Sequence, residues 1–177
     1  LSEIDLIIQG NGTQILLRTN FQEKTSHVLI NGRVENNCVN TCELEGDKNL
    51  ITLRFNSQIS DCSSMFEGLN NITEIDLSNF VTSNVLYMNS MFSRCSNLEK
   101  VNFGNKNIYK IKEANSLFRY CSKLISINLS NFYTSSLSDT SFMFQGCSNL
   151  KYLDLSHFTT SNFEYIRMMF QDCNSLI

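Results

Sequence analysis

The sequence predicts an α/β solenoid: a curved coil with a parallel β-sheet on its concave face, short helices on its convex face and a β-rich N-terminal cap. Three observations predict it. Met-Phe recurs at 65–66, 91–92, 143–144 and 169–170, with Leu117-Phe118 in the one gap, which is a 26-residue period. Behind each pair lies a column Leu69, Cys95, Cys121, Cys147 and Cys173. Self-similarity at such a period signals units that stack, each unable to bury its apolar face alone. Thirdly, apolar spacing switches within each unit from alternation to intervals of three and four, as a strand followed by a helix would require.

The elements follow in chain order. Residues 1–58 lack the repeat and read as short strands with tight turns. The apolar runs 4–9 and 13–17 flank Gly10-Asn11-Gly12, and 28–30 runs into Asn31-Gly32; Asn-Gly between apolar runs is a strong hairpin signal. Residues 50–55 form a further strand leading to Ile59. No Gly/Ser or Pro run separates this segment from the repeats, so residues 1–58 are expected to cap a repeat unit spanning 59–177, with an independent β-domain on a linker as the alternative.

Within the repeats, Ile72, Leu98, Leu124 and Leu150 head four expected strands. Ile75, Val101, Ile127 and Leu153, then Leu77, Phe103, Leu129 and Leu155, are their inward columns. The outward columns are Glu74, Lys100, Ser126 and Tyr152, and Asp76, Asn102, Asn128 and Asp154. A Ser-Asn-Phe-type loop follows at 78–83, 130–135 and 156–161. Ser161 with Glu164 fits a capping box, and Val85, Met88, Met91, Phe92 and Cys95 fall on one helical face. Strands about 4.8 Å apart joined to helices roughly 8–10 Å apart would force the coil to curve. The second repeat departs from the pattern, with Gly104, Lys106 and Tyr109 where Ser, Phe and Ser stand elsewhere, so its loop should deviate.

The recurring pattern MFxxCxxLxxLDLSNFxTSxVxxMxxMF, carried almost whole by DLSNFVTSNVLYMNSMFSRCSNL and LDLSHFTTSNFEYIRMMFQDCNSL, resembles the surface-protein branch of the BspA-like leucine-rich repeats of bacteria and protists. The resemblance covers about residues 59–177. It implies a leucine-rich-repeat fold and an extracellular or cell-surface recognition or adhesion module, with no catalytic residues to transfer.

Other functional classes find little in the residues. There is no GxSxG, P-loop or GxGxxG, and His27 and His157 read as surface residues, so no enzyme and no cofactor is expected. A net charge of −3 argues against nucleic acid as partner, and no apolar run is long enough to span a membrane. Of seven cysteines, the column members are expected to be small buried thiols, held too far apart by helix spacing for disulfides. Cys62 joins them in the core. Cys38 and Cys42, in NNCVNTCE, form the candidate disulfide, with two free thiols as the alternative. No metal site is expected.

Binding is expected on the concave face, at Glu74, Asp76, Lys100, Asn102, Asn128, Tyr152 and Asp154, with a solvated interstrand ladder as the plainer reading of the Asp/Asn column. Lys100, Lys106, Lys110, Lys112, Arg119 and Lys123 make the second repeat locally basic, a solvated face or an anionic-glycan or protein patch. Asn11, Asn71 and Asn128 head N-glycosylation sequons. The chain begins at Leu1 without a signal segment, read as a cut, processed or incomplete terminus. It stops at Leu176-Ile177 as the repeat enters a strand, so that either a longer parent chain continues with more repeats or a second copy covers the open end. Two functions follow: a surface module binding protein or glycan, or a structural protein forming a homo-oligomer by end-to-end stacking into a filament.

Overall fold

The computed structural model describes residues 1–177 and contains eight strands and no helix: β1 (Ser2–Gln9), β2 (Gly12–Ile15), β3 (His27–Ile30), β4 (Arg33–Glu35), β5 (Thr41–Leu44), β6 (Lys48–Phe55), β7 (Ile72–Asp76) and β8 (Lys100–Asn102). Six strands form one mixed sheet in the order β4-β3-β6-β1-β7-β8, and β2 pairs apart with β5. Alternation drives the long strands: Ile4, Leu6 and Ile8 of β1 are fully buried beside Ile51 and Leu53 of β6. β1 lies antiparallel to both β6 and β7, and only β7 and β8 run parallel, with Glu74 opposite Lys100 and Asp76 opposite Asn102. The N-terminal segment and the first repeats therefore share one sheet.

This overturns the expected leucine-rich-repeat solenoid with helices on one face and a four-strand parallel sheet on the other. The chain is helix-free and its main sheet is mixed. Of the four expected repeat strands, two form; the third and fourth touch through a single bridge, Ser126 to Tyr152. The helix reading fails on backbone conformation. Ser64, Ser90, Ser116, Phe142 and Met168 stand at φ between +49° and +60°, and Gly68, Arg94, Tyr120, Gly146 and Asp172 at φ between +59° and +73°. Two left-handed residues four apart in each repeat interrupt any right-handed helix there. Of the expected capping box, Ser161 lies in a turn and Glu164 in irregular chain, so neither begins a helix. The apolar positions 85, 88, 91, 92 and 95 are buried as expected, but on successive turns: Met91 N–H donates to the Met88 carbonyl and Cys95 N–H to that of Phe92.

Alternate N–H groups along this stretch reach the next repeat. Cys62, Ser64, Phe66 and Gly68 donate to the carbonyls of Tyr87, Asn89, Met91 and Ser93 at 2.8–3.0 Å. Equivalent sets run from Met88, Ser90, Phe92 and Arg94, then from Ala114, Ser116, Phe118 and Tyr120, then from Thr140, Phe142, Phe144 and Gly146. Backbone groups buried between repeats are thereby paired. With direct hydrogen bonds on this side as well, the spacing mismatch that was to bend the coil is absent.

Side chains stack in the same register. Phe66, Phe92, Phe118, Phe144 and Phe170 form a continuous ladder, neighbouring rings 5.3–6.0 Å apart and within 14° of parallel. The cysteine column forms a second ladder: the thiols of Cys95, Cys121, Cys147 and Cys173 donate to the carbonyls of Phe66, Phe92, Phe118 and Phe144 at 3.0–3.1 Å. The cysteines are free, but helix spacing is not the reason, since no helices separate them. Each sulfur is directed at a main-chain oxygen.

The N-terminal segment meets the repeats through the main chain as well as the sheet. Arg18 N–H donates to the Met65 carbonyl at 3.0 Å, and Gln9 N–H to that of Asn71 at 2.8 Å. Asn31-Gly32 turns the hairpin between β3 and β4, both residues at positive φ. Gly10-Asn11-Gly12 does not close a hairpin, contrary to expectation: β1 and β2 belong to different sheets, and this corner moves the chain between them. No helix is long and apolar enough to cross a membrane.

Candidate binding site

Pairing of β6, β1, β7 and β8 builds an open cavity of ≈ 220 Å³, half polar and half apolar, lined by Asp5, Ile7, Leu50, Glu74, Ile75, Asp76, Lys100 and Asn102. Four of the seven residues expected on the binding face, Glu74, Asp76, Lys100 and Asn102, are brought together here. Asn128, Tyr152 and Asp154 lie outside it, because the sheet ends at β8. Asp5, Ile7 and Leu50 come from outside the repeats and were not expected here; Asp5 stands opposite Asp76 across the β1–β7 pair.

The polar groups are largely engaged. Lys100 Nζ lies 3.9 Å from Glu74 Oε2. Asp5 Oδ1 accepts from the Thr52 hydroxyl at 2.6 Å, and Asp76 Oδ2 accepts from Asn102 Nδ2 at 3.1 Å. Partial burial works to raise the Asp76 carboxyl, but hydrogen bonds from Ser78 and Asn102 and the charge of Lys100 outweigh it and hold the group below its ordinary value. Hydrogen bonding to the charged form has this effect. The cavity presents carboxyl oxygens as acceptors beside the Lys100 ammonium as donor, suited to hydrogen-bonding a polar ligand. No group of three or more His, Cys, Asp or Glu side chains converges as a metal site does.

The Asp/Asn column has a local duty throughout. Asp76, Asn102, Asn128 and Asp154 each accept, through Oδ1, the N–H two residues ahead, from Ser78, Gly104, Ser130 and Ser156 at 2.7–2.9 Å. These are Asx turns, which explains why short side chains with an acceptor recur there. At Asp154 the same bonds from Ser156 hold the carboxyl below its ordinary value. Tyr152 is exposed and stands apart from the cavity.

The remaining sites disperse. Asn11 is exposed at the corner after β1, and Asn128 is exposed on its segment. Asn71 is tied in: its Nδ2 donates to Gln14 Oε1 at 3.1 Å and to the Ile15 carbonyl at 3.0 Å. Cys38 and Cys42 are disulfide-linked with Cα atoms 5.0 Å apart. His157 Nε2 lies 2.7 Å from the Leu129 carbonyl oxygen, in a repeat-to-repeat contact.

The second repeat is rebuilt by two residues. Ile108, not Lys106, fills the buried column of Phe80 and Phe132, bridging Phe132 directly. The tight approach of Gly104 to Ser78, where a Cβ would lie 2.7 Å from the Ser78 Cα, marks the start of this detour.

Residues 48–149 and 96–177 match the family described as "Mycoplasma protein of unknown function, DUF285". No curated protein matches the chain, and no solved structure does. The two matches jointly span all the repeats and β6, well over half the chain, so the chain belongs to this family.

Proposed function

We propose that this DUF285-family repeat protein is a non-catalytic recognition module, extracellular or on the cell surface, that binds a protein or glycan through the outward face of β1, β7 and β8. The single observation that carries the reading is the cavity in which Asp5, Glu74, Asp76, Lys100 and Asn102 converge. Its donors and acceptors are fixed by strand pairing and Asx turns, so little order has to be imposed when a ligand docks. The resemblance of the repeat to BspA-like surface proteins supports the location and class of function; the helix-bearing fold of that group is no part of the proposal.

The test is binding of the intact protein to an arrayed panel of glycans and purified extracellular-matrix proteins, with Asp76→Asn and Lys100→Glu alongside. Saturable binding weakened by both variants is the expected result. Absence of saturable binding, or binding indifferent to both, rejects this face. A second reading, structural assembly head to tail, draws on the exposed Ile166, Met168 and Phe170 of the fourth repeat. Light scattering separates the two: a monomer at high concentration rules out assembly of this chain.

A further inference from the structure

The two-residue detour in the second repeat has a consequence on the loop side of the molecule, remote from the sheet-face cavity. Under strict periodicity, Tyr133 would stand beside Asn107. Because Ile108 takes the buried column and pairs with Phe132, the next residue, Tyr109, is placed beside Tyr133. The two rings lie 4.5 Å apart, tilted by 33°, and are 54% and 46% exposed. Two tyrosines thus form an exposed aromatic surface across two repeats. Asn107 Nδ2 donates to the Tyr109 hydroxyl and fixes one edge of it.

Beside the rings lies a largely apolar hollow of ≈ 490 Å³ bounded by Val81, Thr82, Ser83, Lys106, Asn107, Tyr109 and Lys110. Val81 is 40% exposed. Lys106 and Lys110 flank Tyr109 and are exposed, and neither belongs to an ion pair, the pairs being Arg54–Glu3 and Lys100–Glu74. No carboxylate lines the hollow. In a chain of net charge −3, this is a local positive site.

We propose that Tyr109 and Tyr133, with Lys106 and Lys110, form a binding site for an acidic saccharide. The weakly polar C–H face of a pyranose ring packs on an aromatic face while its hydroxyls stay in water, and tyrosine supplies both an apolar body and a polar tip. The two ammonium groups attract the carboxylate or sulfate carried by the sugar. Lysine acts as a flexible point charge and suits an anion of variable position; the arginine forks of a phosphate-specific clamp are absent here. A protein partner fits poorly, since stable protein interfaces cover about 800 Å² per side and this patch is a pair of rings beside a small hollow. This site is separate from the sheet face, so it stands or falls independently of the function proposed above.

The test is titration of the intact protein with size-defined heparin and hyaluronan oligosaccharides, which separate sulfate from carboxylate recognition, against dextran as a neutral control. Binding of at least one acidic oligosaccharide, weakening with added salt, and no binding of dextran are expected. Tyr133→Ala and the double change Lys106→Glu/Lys110→Glu should each weaken binding by about tenfold or more, a loss of about 1.4 kcal/mol. Tyr133→Phe should retain it. Melting temperatures guard against misfolding and should stay close to the parent's, because the altered side chains are exposed. Tyr152→Ala should leave the affinity unchanged. No binding of either acidic oligosaccharide, equal binding of dextran, or affinity insensitive to the tyrosine and lysine changes overturns the site. Loss in Lys100→Glu with none in Tyr133→Ala overturns it too, while placing the ligand on the sheet face.

Discussion

A Cβ on Gly146 would lie 2.3 Å from Cδ1 of Tyr120. The ring of the second repeat thus rests on the bare backbone of the third, with the guanidinium carbons of Arg119 and Arg94 4.9 and 5.3 Å from its centroid. Glycine at 146 answers two demands, a left-handed conformation at φ +73° and the close approach of a ring. Gly68 has the same φ, yet nothing lies within 4 Å of its added Cβ. Gly68→Ala should therefore cost only the conformational term, about 1–2 kcal/mol. Gly146→Ala should cost clearly more in a urea titration, and Tyr120→Ala should recover part of the excess as a non-additive coupling. Equal losses at the two glycines would contradict the packing.

Phe92 is fully buried between Phe66 and Phe118, with ring centroids at 6.0 and 5.3 Å. Truncation to Ala at the centre of this ladder should cost roughly 3–5 kcal/mol. Tyr87 is half-buried and joins its neighbours through the backbone bridges to Asp61 and Glu113, which a side-chain truncation leaves in place. Tyr87→Ala should be the milder change by at least about 1 kcal/mol. Denaturant midpoints of the two variants check the order.

The thiol ladder carries a pH dependence. Burial pushes Cys95 and Cys147 from 9.0 up to about 12, and raises Cys121 well above that ordinary value. A thiol whose folded value exceeds its unfolded one keeps its proton longer in the native state. Its contribution is fully present below the unfolded value and is lost as pH rises through the folded one. Stability should thus decline from about pH 9 towards pH 12, and thiol reagents at neutral pH should find Cys95, Cys121 and Cys147 slow. Cys173, only half-buried, should react before them. Constant stability across that window would show that the column thiols are exposed to water.

Periodicity made the repeat and its inward columns legible, because identical environments recur every 26 residues and select identical residue types. It did not distinguish helices from turns. Apolar residues three and four apart satisfy a helix, and they equally satisfy a string of turns whose inward residues recur every third or fourth position. The discriminating signal lay in the polar columns: Ser64, Ser90 and Ser116, and Gly68 and Gly146, recur four residues apart where the backbone is left-handed. The sheet-face cavity was half legible. Its repeat members share columns, whereas Asp5 arrives through a pairing between β1 and β7 that no local pattern announces. The tyrosine pair was hidden for the opposite reason, because strict alignment places Tyr109 out of step with Tyr133.

That shift of register is itself open to test. Alignment at constant period puts Lys106 in the column of Phe80 and Phe132, and a buried, unpaired ammonium there would be strongly unfavourable. The fold avoids the cost by looping out residues 105–107 and admitting Ile108, which is 1% exposed and hydrogen-bonded through its N–H to the Asn131 carbonyl at 2.8 Å. Ile108→Ala should then destabilise by about 2–5 kcal/mol, as for a buried aliphatic truncation. Lys106→Ala should stay within about 0.5 kcal/mol, the usual range for an exposed surface change. Because Ile108 also sets the position of Tyr109, its truncation should loosen the contact between the tyrosine rings, readable as a change in near-ultraviolet circular dichroism absent from Lys106→Ala. A larger loss at Lys106 than at Ile108 would restore the strict 26-residue register and separate the two tyrosines.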